Sequence, residues 1–136
     1  MKPNSRKEAE RWLSQSERDW DDAKYVSGGK RYNLACFLAQ QAAEKALKAY
    51  LYSQGDTEIW GHSAAELCAD ASTHDMDFSK LRSKAASLDK YYIPTRYPNG
   101  LPDGIPSDVY QEEDAKQAIL LTDEIIAFIK DKMGVK

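Results

Sequence analysis

Apolar residues recur at helical spacing in five stretches of the chain and alternate like a strand in none. In the first, Ala9, Trp12, Leu13, Ser16, Trp20 and Ala23 share a face and predict a helix over residues 5–27. Ser5 with Glu8 three residues on reads as a capping box for its start, and Gly28 with Gly29 as its stop. The second stretch, NLACFLAQQAAEKALKAYLY, predicts a helix over 32–54 that Gly55 ends. Leu34, Leu38, Ala42, Ala46 and Ala49 form one stripe, and Ala35, Ala39, Ala43, Leu47 and Tyr50 widen it. A helix apolar over so much of its circumference belongs at the centre of a bundle. Its remaining face carries Phe37, Gln41, Glu44 and Lys48, with Gln40 and Lys45 nearby.

The third stretch predicts a short helix over 64–72, entered by a second capping box of Ser63 with Glu66. A fourth helix is predicted over 79–92, with Leu81, Ala85, Leu88 and Tyr92 inward. A fifth is predicted over 108–132, with Ala118, Ile119, Thr122, Ile125, Ile126 and Ile129 as its stripe. The fold class expected is all-α: an up-and-down bundle of four to five helices with a long proline-rich loop before the last helix. Residues 1–136 are expected to form one domain.

That loop, within YYIPTRYPNGLPDGIPSDVY at 91–110, breaks the helical pattern. Pro94, Pro98, Pro102 and Pro106 recur every fourth residue. Each fixes φ and pushes the residue before it towards extended backbone, so the segment is stiff rather than floppy. Long stiff loops either carry function or bridge the end of a bundle, and both readings stand for this one.

Composition narrows the classes. Charged residues make up 30% of the chain, and no run of about 18 apolar residues exists to cross a membrane. MKPNSRKEAERW has no apolar core of a secretory leader, so the expected location is the cytoplasm. Three Trp and eight Tyr argue for a packed core. Cys36 and Cys68 are expected as buried thiols rather than a disulfide. Two Cys and two His in no metal-ligand spacing predict no metal site, and no cofactor motif is present. The net charge of −3 opposes a generally basic nucleic-acid binder. Residues 79–98 nevertheless hold five bases (Lys80, Arg82, Lys84, Lys90, Arg96) against Asp89 alone. They form either a local basic patch or a solvated helix face.

Candidate chemistry is sparse. The acids Asp19, Asp21 and Asp22 lie along the first helix, and Glu112, Glu113 and Asp114 open the last, where they complement the helix dipole. Glu44 and Lys48 sit at i,i+4, a helix-stabilising pair. His62 stands at a helix entrance, where it caps a backbone N–H or meets an anion; His74 lies in a polar turn and is expected to be exposed and idle. No GxSxG elbow and no phosphate-binding loop is present. Arg96 is the strongest anion candidate, because a guanidinium on a braced loop loses little entropy when it grips phosphate or carboxylate. Its alternative role is to anchor the loop on helix-end carboxylates or carbonyls. Tyr91, Tyr92 and Tyr97 either stack on a base or pack on the bundle.

QQAAEKALKAYL, then GH before a short helix, then TRYP after a tyrosine-ended helix, resembles the HEPN family, the domain of higher eukaryotes and prokaryotes linked to nucleotide binding. EAERWLSQSERDWDDAKY is similar to the family's first helix, so the resemblance spans Glu8 to Lys132. TRYPNGLPDGIPSDVY is similar to the loop of the HEPN domain that ends sacsin. The resemblance implies a helical bundle, usually a homodimer. Some members are metal-independent RNases, often toxins paired with a small nucleotidyltransferase, and carry Arg, four to six residues, then His. This chain departs from that pattern. No His follows Arg96, and residues 55–57 and 67–69 hold no Arg ahead of His62 or His74. No catalytic residue is therefore assigned and enzyme activity is not expected. The resemblance implies instead a nucleotide- or polyanion-binding dimer, with a minimal nucleotidyltransferase as possible partner in a two-gene, toxin–antitoxin-like system and RNA as possible ligand. Carried over residue by residue, its ligand contacts are Arg96, Lys45, Lys48 and His62, with Tyr97 as a weaker addition. The alternatives are an RNase toxin that uses His62 as a non-standard base, and a purely structural interaction module.

Overall fold

In the computed structural model, which describes residues 3–135, six helices succeed one another. They are α1 (Pro3–Gly28), α2 (Tyr32–Ser53), α3 (Ala64–Ser72), α4 (Arg82–Asp89), α5 (Pro106–Val109) and α6 (Glu112–Met133). Tight 3-10 turns at Met76–Leu81 and Pro98–Gly100 complete the order, and no strand occurs among the described residues. Met1 and Lys2, part of the stretch read above for a leader, lie outside the described residues.

The axis of the bundle is α2, which touches each of the other five helices. Alanine makes this possible. Ala35, Ala39, Ala42, Ala43, Ala46 and Ala49 are fully buried, and without bulk there the flanking helices reach the α2 backbone itself. Ser16 on α1 donates to the Ala42 carbonyl at 2.5 Å, and Thr122 on α6 donates to the Ala39 carbonyl at 2.8 Å. Trp20 ties α1 to α6 by donating to the Ile119 carbonyl at 3.1 Å. The predicted α6 stripe is inward, with Ile125 and Ile129 fully buried.

Several boundaries differ from expectation, among them the last helix, which begins at Glu112 rather than 108 and is preceded by the separate α5. α1 is already helical at Pro3, so Ser5 is an interior residue and caps nothing; the Glu8 carboxylate instead accepts from Arg11 and Trp12. At the other end α1 stops at Gly28, where the glycines were expected to break it, and Gly29 opens the turn with its N–H donating to the Val26 carbonyl. The left-handed residue is Lys30, φ 64°. The predicted fourth helix is split into the 3-10 turn and α4, which stops at Asp89. Pro94 bars helix at the residue before it, and with the helical register gone Tyr91 rather than Tyr92 becomes the buried ring, 2% exposed. Both cysteines are buried free thiols.

The proline segment is a strap folded back on the bundle. Its anchor is Thr95, 1% exposed, whose hydroxyl donates to the Tyr91 carbonyl and whose carbonyl accepts from Asn33 at the start of α2. Gly100 sits at its crossing point, where a Cβ would lie 3.0 Å from Cα of Pro94, closer than such atoms ordinarily pack. Among the described residues no helix is long and apolar enough to cross a membrane.

Candidate anion-binding site

One face of α2 buries polar side chains in a row at one-turn spacing: Gln40, fully buried, Glu44 at 2% exposed and Lys48 at 8%. Buried polar groups are tolerated only with partners, and these partners build the site. Gln40 donates to the His62 carbonyl at 2.9 Å and to Asp89 at 3.2 Å, and accepts from Gln41. The Glu44 Oε1 accepts from Lys48 Nζ at 3.2 Å and lies 2.6 Å from His62 Nδ1. The long connection from α2 to α3 thus returns to α2 through His62, whose side chain is still 58% exposed.

Asp89, the last residue of α4, fixes the start of α3. Its carboxylate accepts from the backbone N–H groups of Ala64 and Ala65, at 2.7 and 3.0 Å, and from the Ser63 hydroxyl at 2.8 Å. Ser63 caps as the sequence predicts, by accepting from the Glu66 N–H. The carboxylate across the gap, however, belongs to a residue 26 positions away in sequence from Ser63. It neutralises the positive end of α3 and so sets the position of His62 just ahead of it.

Around Tyr92 the strap meets this ridge. The His62 ring stacks on Tyr92, centroids 5.1 Å apart and planes 16° from parallel. The guanidinium of Arg96 lies over Phe37, Tyr92 and Tyr97, its Cζ 4.3, 4.7 and 5.2 Å from the three ring centres. Arg96 Nε donates to the Tyr92 carbonyl at 2.9 Å. Its residue is exposed, and no carboxylate among the described residues pairs with it. Aromatic faces hold a guanidinium by cation–π attraction without neutralising it, so both Nη groups keep their donors. Through Tyr92, Arg96 Cζ and the His62 ring lie less than 10 Å apart.

The structure therefore gathers Arg96, Tyr97 and His62 around Tyr92 and joins Lys48 to them through Glu44. Lys45 goes elsewhere. Its Nζ bonds Asp19 on α1 at 2.5 Å, and it lines an open groove of about 740 Å³ along α1 with Arg11, Trp12 and Arg18. Lys48 Nζ, besides its bond to Glu44, lies 5.4 Å from the ring centre of Trp12. Lys45 and Lys48 each have a carboxylate partner. The basic run of 79–98 disperses: Lys80 pairs with Asp77 and Lys84 with Glu124 on α6. His74 is exposed as expected, with its Nε2 3.0 Å from Asp56. Sequence reasoning missed Tyr92 as the shared platform and Glu44 as the partner of His62; the second joins residues 18 apart across a loop, which no helical spacing reveals.

The HEPN domain model matches residues 9–132 of the chain. This chain belongs to the HEPN family. Three solved structures are similar to it. TT1696 from Thermus thermophilus is 42% identical, with a TM-score of 0.86 over 91% of this chain and 97% of that one. ST0689, an archaeal HEPN homologue, is 39% identical, with a TM-score of 0.75 over 92% and 97%. The HEPN domain protein TM0613 from Thermotoga maritima is 30% identical, with a TM-score of 0.73 over 91% and 98%. No curated protein matches the chain. The HEPN fold thus accounts for the helical bundle.

Proposed function

We propose that this HEPN domain binds the phosphate groups of a nucleotide or other polyanion through Arg96. The observation that carries the reading is a guanidinium held by three aromatic rings, exposed, and free of carboxylate partners among the described residues. Its ordering cost is already met in the unliganded fold, which favours binding. His62 supplies a second polar contact, Tyr97 an aromatic edge at half exposure, and Lys48 a more distant positive charge. Lys45 contributes to the α1 groove rather than to this cluster. The strap's likeness to the sacsin-type domain, a homodimeric assembly, a nucleotidyltransferase partner in a toxin–antitoxin-like pair and a cytoplasmic location belong to the same proposal and rest on the family resemblance.

Calorimetric titration with ATP, GTP and a short RNA tests it. Saturable binding of at least one, weakened by Arg96→Ala, is the expected result; no saturable binding of any of them overturns it. Sedimentation analysis checks the dimer separately.

A further inference from the structure

A second opening in the surface shares no residue with the Arg96 cluster. The connection from α2 to α3 and the last turn of α3 enclose a cavity of about 400 Å³, lined by the buried Leu51 and by Asp56, Glu58, Trp60, Asp70 and His74. Two of its features run against local stability. Trp60 is 82% exposed, although an indole carries one of the largest apolar surfaces a side chain can leave in water. Asp70 stands in the last turn of α3, which holds no base. The carbonyl end of a helix is its negative pole and disfavours a carboxylate there. Local rules broken together at one place are expected where a surface serves something other than the fold.

The cavity is also electronegative. Three carboxylates line it, and no lysine or arginine does. Asp56 is engaged by His74 Nε2 at 3.0 Å, whereas Glu58 and Asp70 pair with no cation among the described residues. Tyr50 registers the field. Its ring lies edge-on to that of His74, centroids 6.4 Å apart. Burial pushes its phenol up, and Asp75 and Asp56 push it further while Lys132 opposes them. An open indole face beside unpaired carboxylates suits a cationic side chain with an apolar stem, since the ring attracts the charge and the stem covers the ring. We propose that this cavity docks an arginine- or lysine-bearing segment of a partner protein, whose cationic side chain rests on Trp60 and meets the carboxylates of Glu58 and Asp70. Trp60 is the anchor, as tryptophan often is at the centre of protein interfaces. The two acids set the charge of the partner.

The test follows the Trp60 indole N–H by NMR in the full chain at neutral pH, as an acetylated and amidated Ala-Arg-Ala-Arg-Ala peptide is added. The indoles of Trp12 and Trp20 are bonded within the fold, and the Trp60 signal is assigned by its loss in Trp60→Phe. A saturable shift is expected, with roughly fivefold weaker binding when neutral citrulline replaces both arginines. Glu58→Gln combined with Asp70→Asn is expected to weaken the peptide by about fivefold to tenfold. Both residues are exposed, and the melting temperature of this variant should hold or rise, because an acid has left the negative end of α3. A peptide that gives no saturable shift overturns the proposal. So does citrulline peptide bound as tightly as the arginine form, or a double variant that binds like wild type. Spermidine bound as tightly as the peptide also overturns it, since the cavity then holds a small cation rather than a protein segment. A Trp60 signal that moves with chain concentration alone assigns the seat to a second copy and overturns it as well.

Discussion

Arg96 and Lys30 show how a single side chain's local geometry decides its role. Arg96 follows a threonine whose hydroxyl and carbonyl are both committed inward, so the next side chain must point out. Its stem reaches back over Tyr92, where Nε finds a carbonyl and the guanidinium finds rings, not acids. The sequence suggested a restrained arginine, because a proline-braced loop limits its freedom, but left open whether it met an anion or fastened the loop on a carbonyl, and the structure shows the bond to the Tyr92 carbonyl. The rings it rests on were less legible: Phe37 lies on another helix, 59 positions earlier, and only the fold brings it there. Lys30 is the opposite case. With two glycines just before it, Lys30 is the residue in the left-handed region, a conformation that costs a residue with a Cβ about 1–2 kcal/mol. Lys30→Gly is therefore expected to stabilise the chain by about 0.5–1 kcal/mol after the added freedom of the unfolded state is subtracted. Thermal melting checks it, and an unchanged or lower midpoint would show that the turn carries no such strain.

Among the elements, α2 was the most readable, predicted over 32–54 and found over Tyr32–Ser53. α3 was found over Ala64–Ser72 as predicted, because a serine cap and a glycine-containing approach leave little choice. Both were legible from residues close in sequence, although Asp89 on α4 also holds the start of α3. What could not be read was α4, whose end depends on a proline beyond it and on Asp89 being drawn to α3. The short α5 inside the strap was missed for a similar reason: a four-residue helix has no periodicity to detect. Asp89 is the residue on which this region turns. Asp89→Ala strips two backbone N–H groups, a hydroxyl and Gln40 of their common acceptor. The expected cost is about 2–3 kcal/mol, the upper end for a charged cap. Chemical denaturation measures it, and a loss under about 0.5 kcal/mol would contradict the capping role. Because α3 begins immediately after His62, the same variant should also weaken ligand binding.

Taken together, the bundle is closed at one corner by Lys132 near the end of α6, which reaches Asp75 and Asp77 at 2.8 and 2.7 Å. Its hydrogen bonds hold both carboxylates below the usual aspartate range, with the backbone N–H of Asp77 adding to the effect on Asp75. A carboxylate whose folded pKa is depressed stabilises the fold above its unfolded pKa of about 3.9 and loses that contribution as pH falls through the folded value. Acid unfolding should therefore steepen below about pH 4. Lys132→Met should flatten that slope while leaving the shape above pH 5 unchanged, as pH-dependent melting would show; an identical slope in the variant would exclude the clamp as its cause. At the alkaline end burial acts the other way. It pushes the Cys36 thiol and the Tyr91 phenol each up to about 12, with Asp114 adding to both and Cys36 also adding to Tyr91. Their contribution is intact below the unfolded values and is lost as pH rises towards 12. The general architecture was readable because five amphipathic stretches with short connections admit few arrangements. The charge pattern was not, since the runs counted along the chain are broken up by partners on other helices, Lys84 with Glu124 and Lys45 with Asp19 among them.

The phosphate site stands or falls on ATP titrated by calorimetry, at one fixed ionic strength, into the wild-type chain and into Arg96→Ala. The account predicts saturable binding that weakens by tenfold or more in the variant, the worth of charge-assisted hydrogen bonds, with the melting temperature little changed. An affinity equal to wild type in the variant, with a melting temperature that drops instead, would show that Arg96 only fastens the strap.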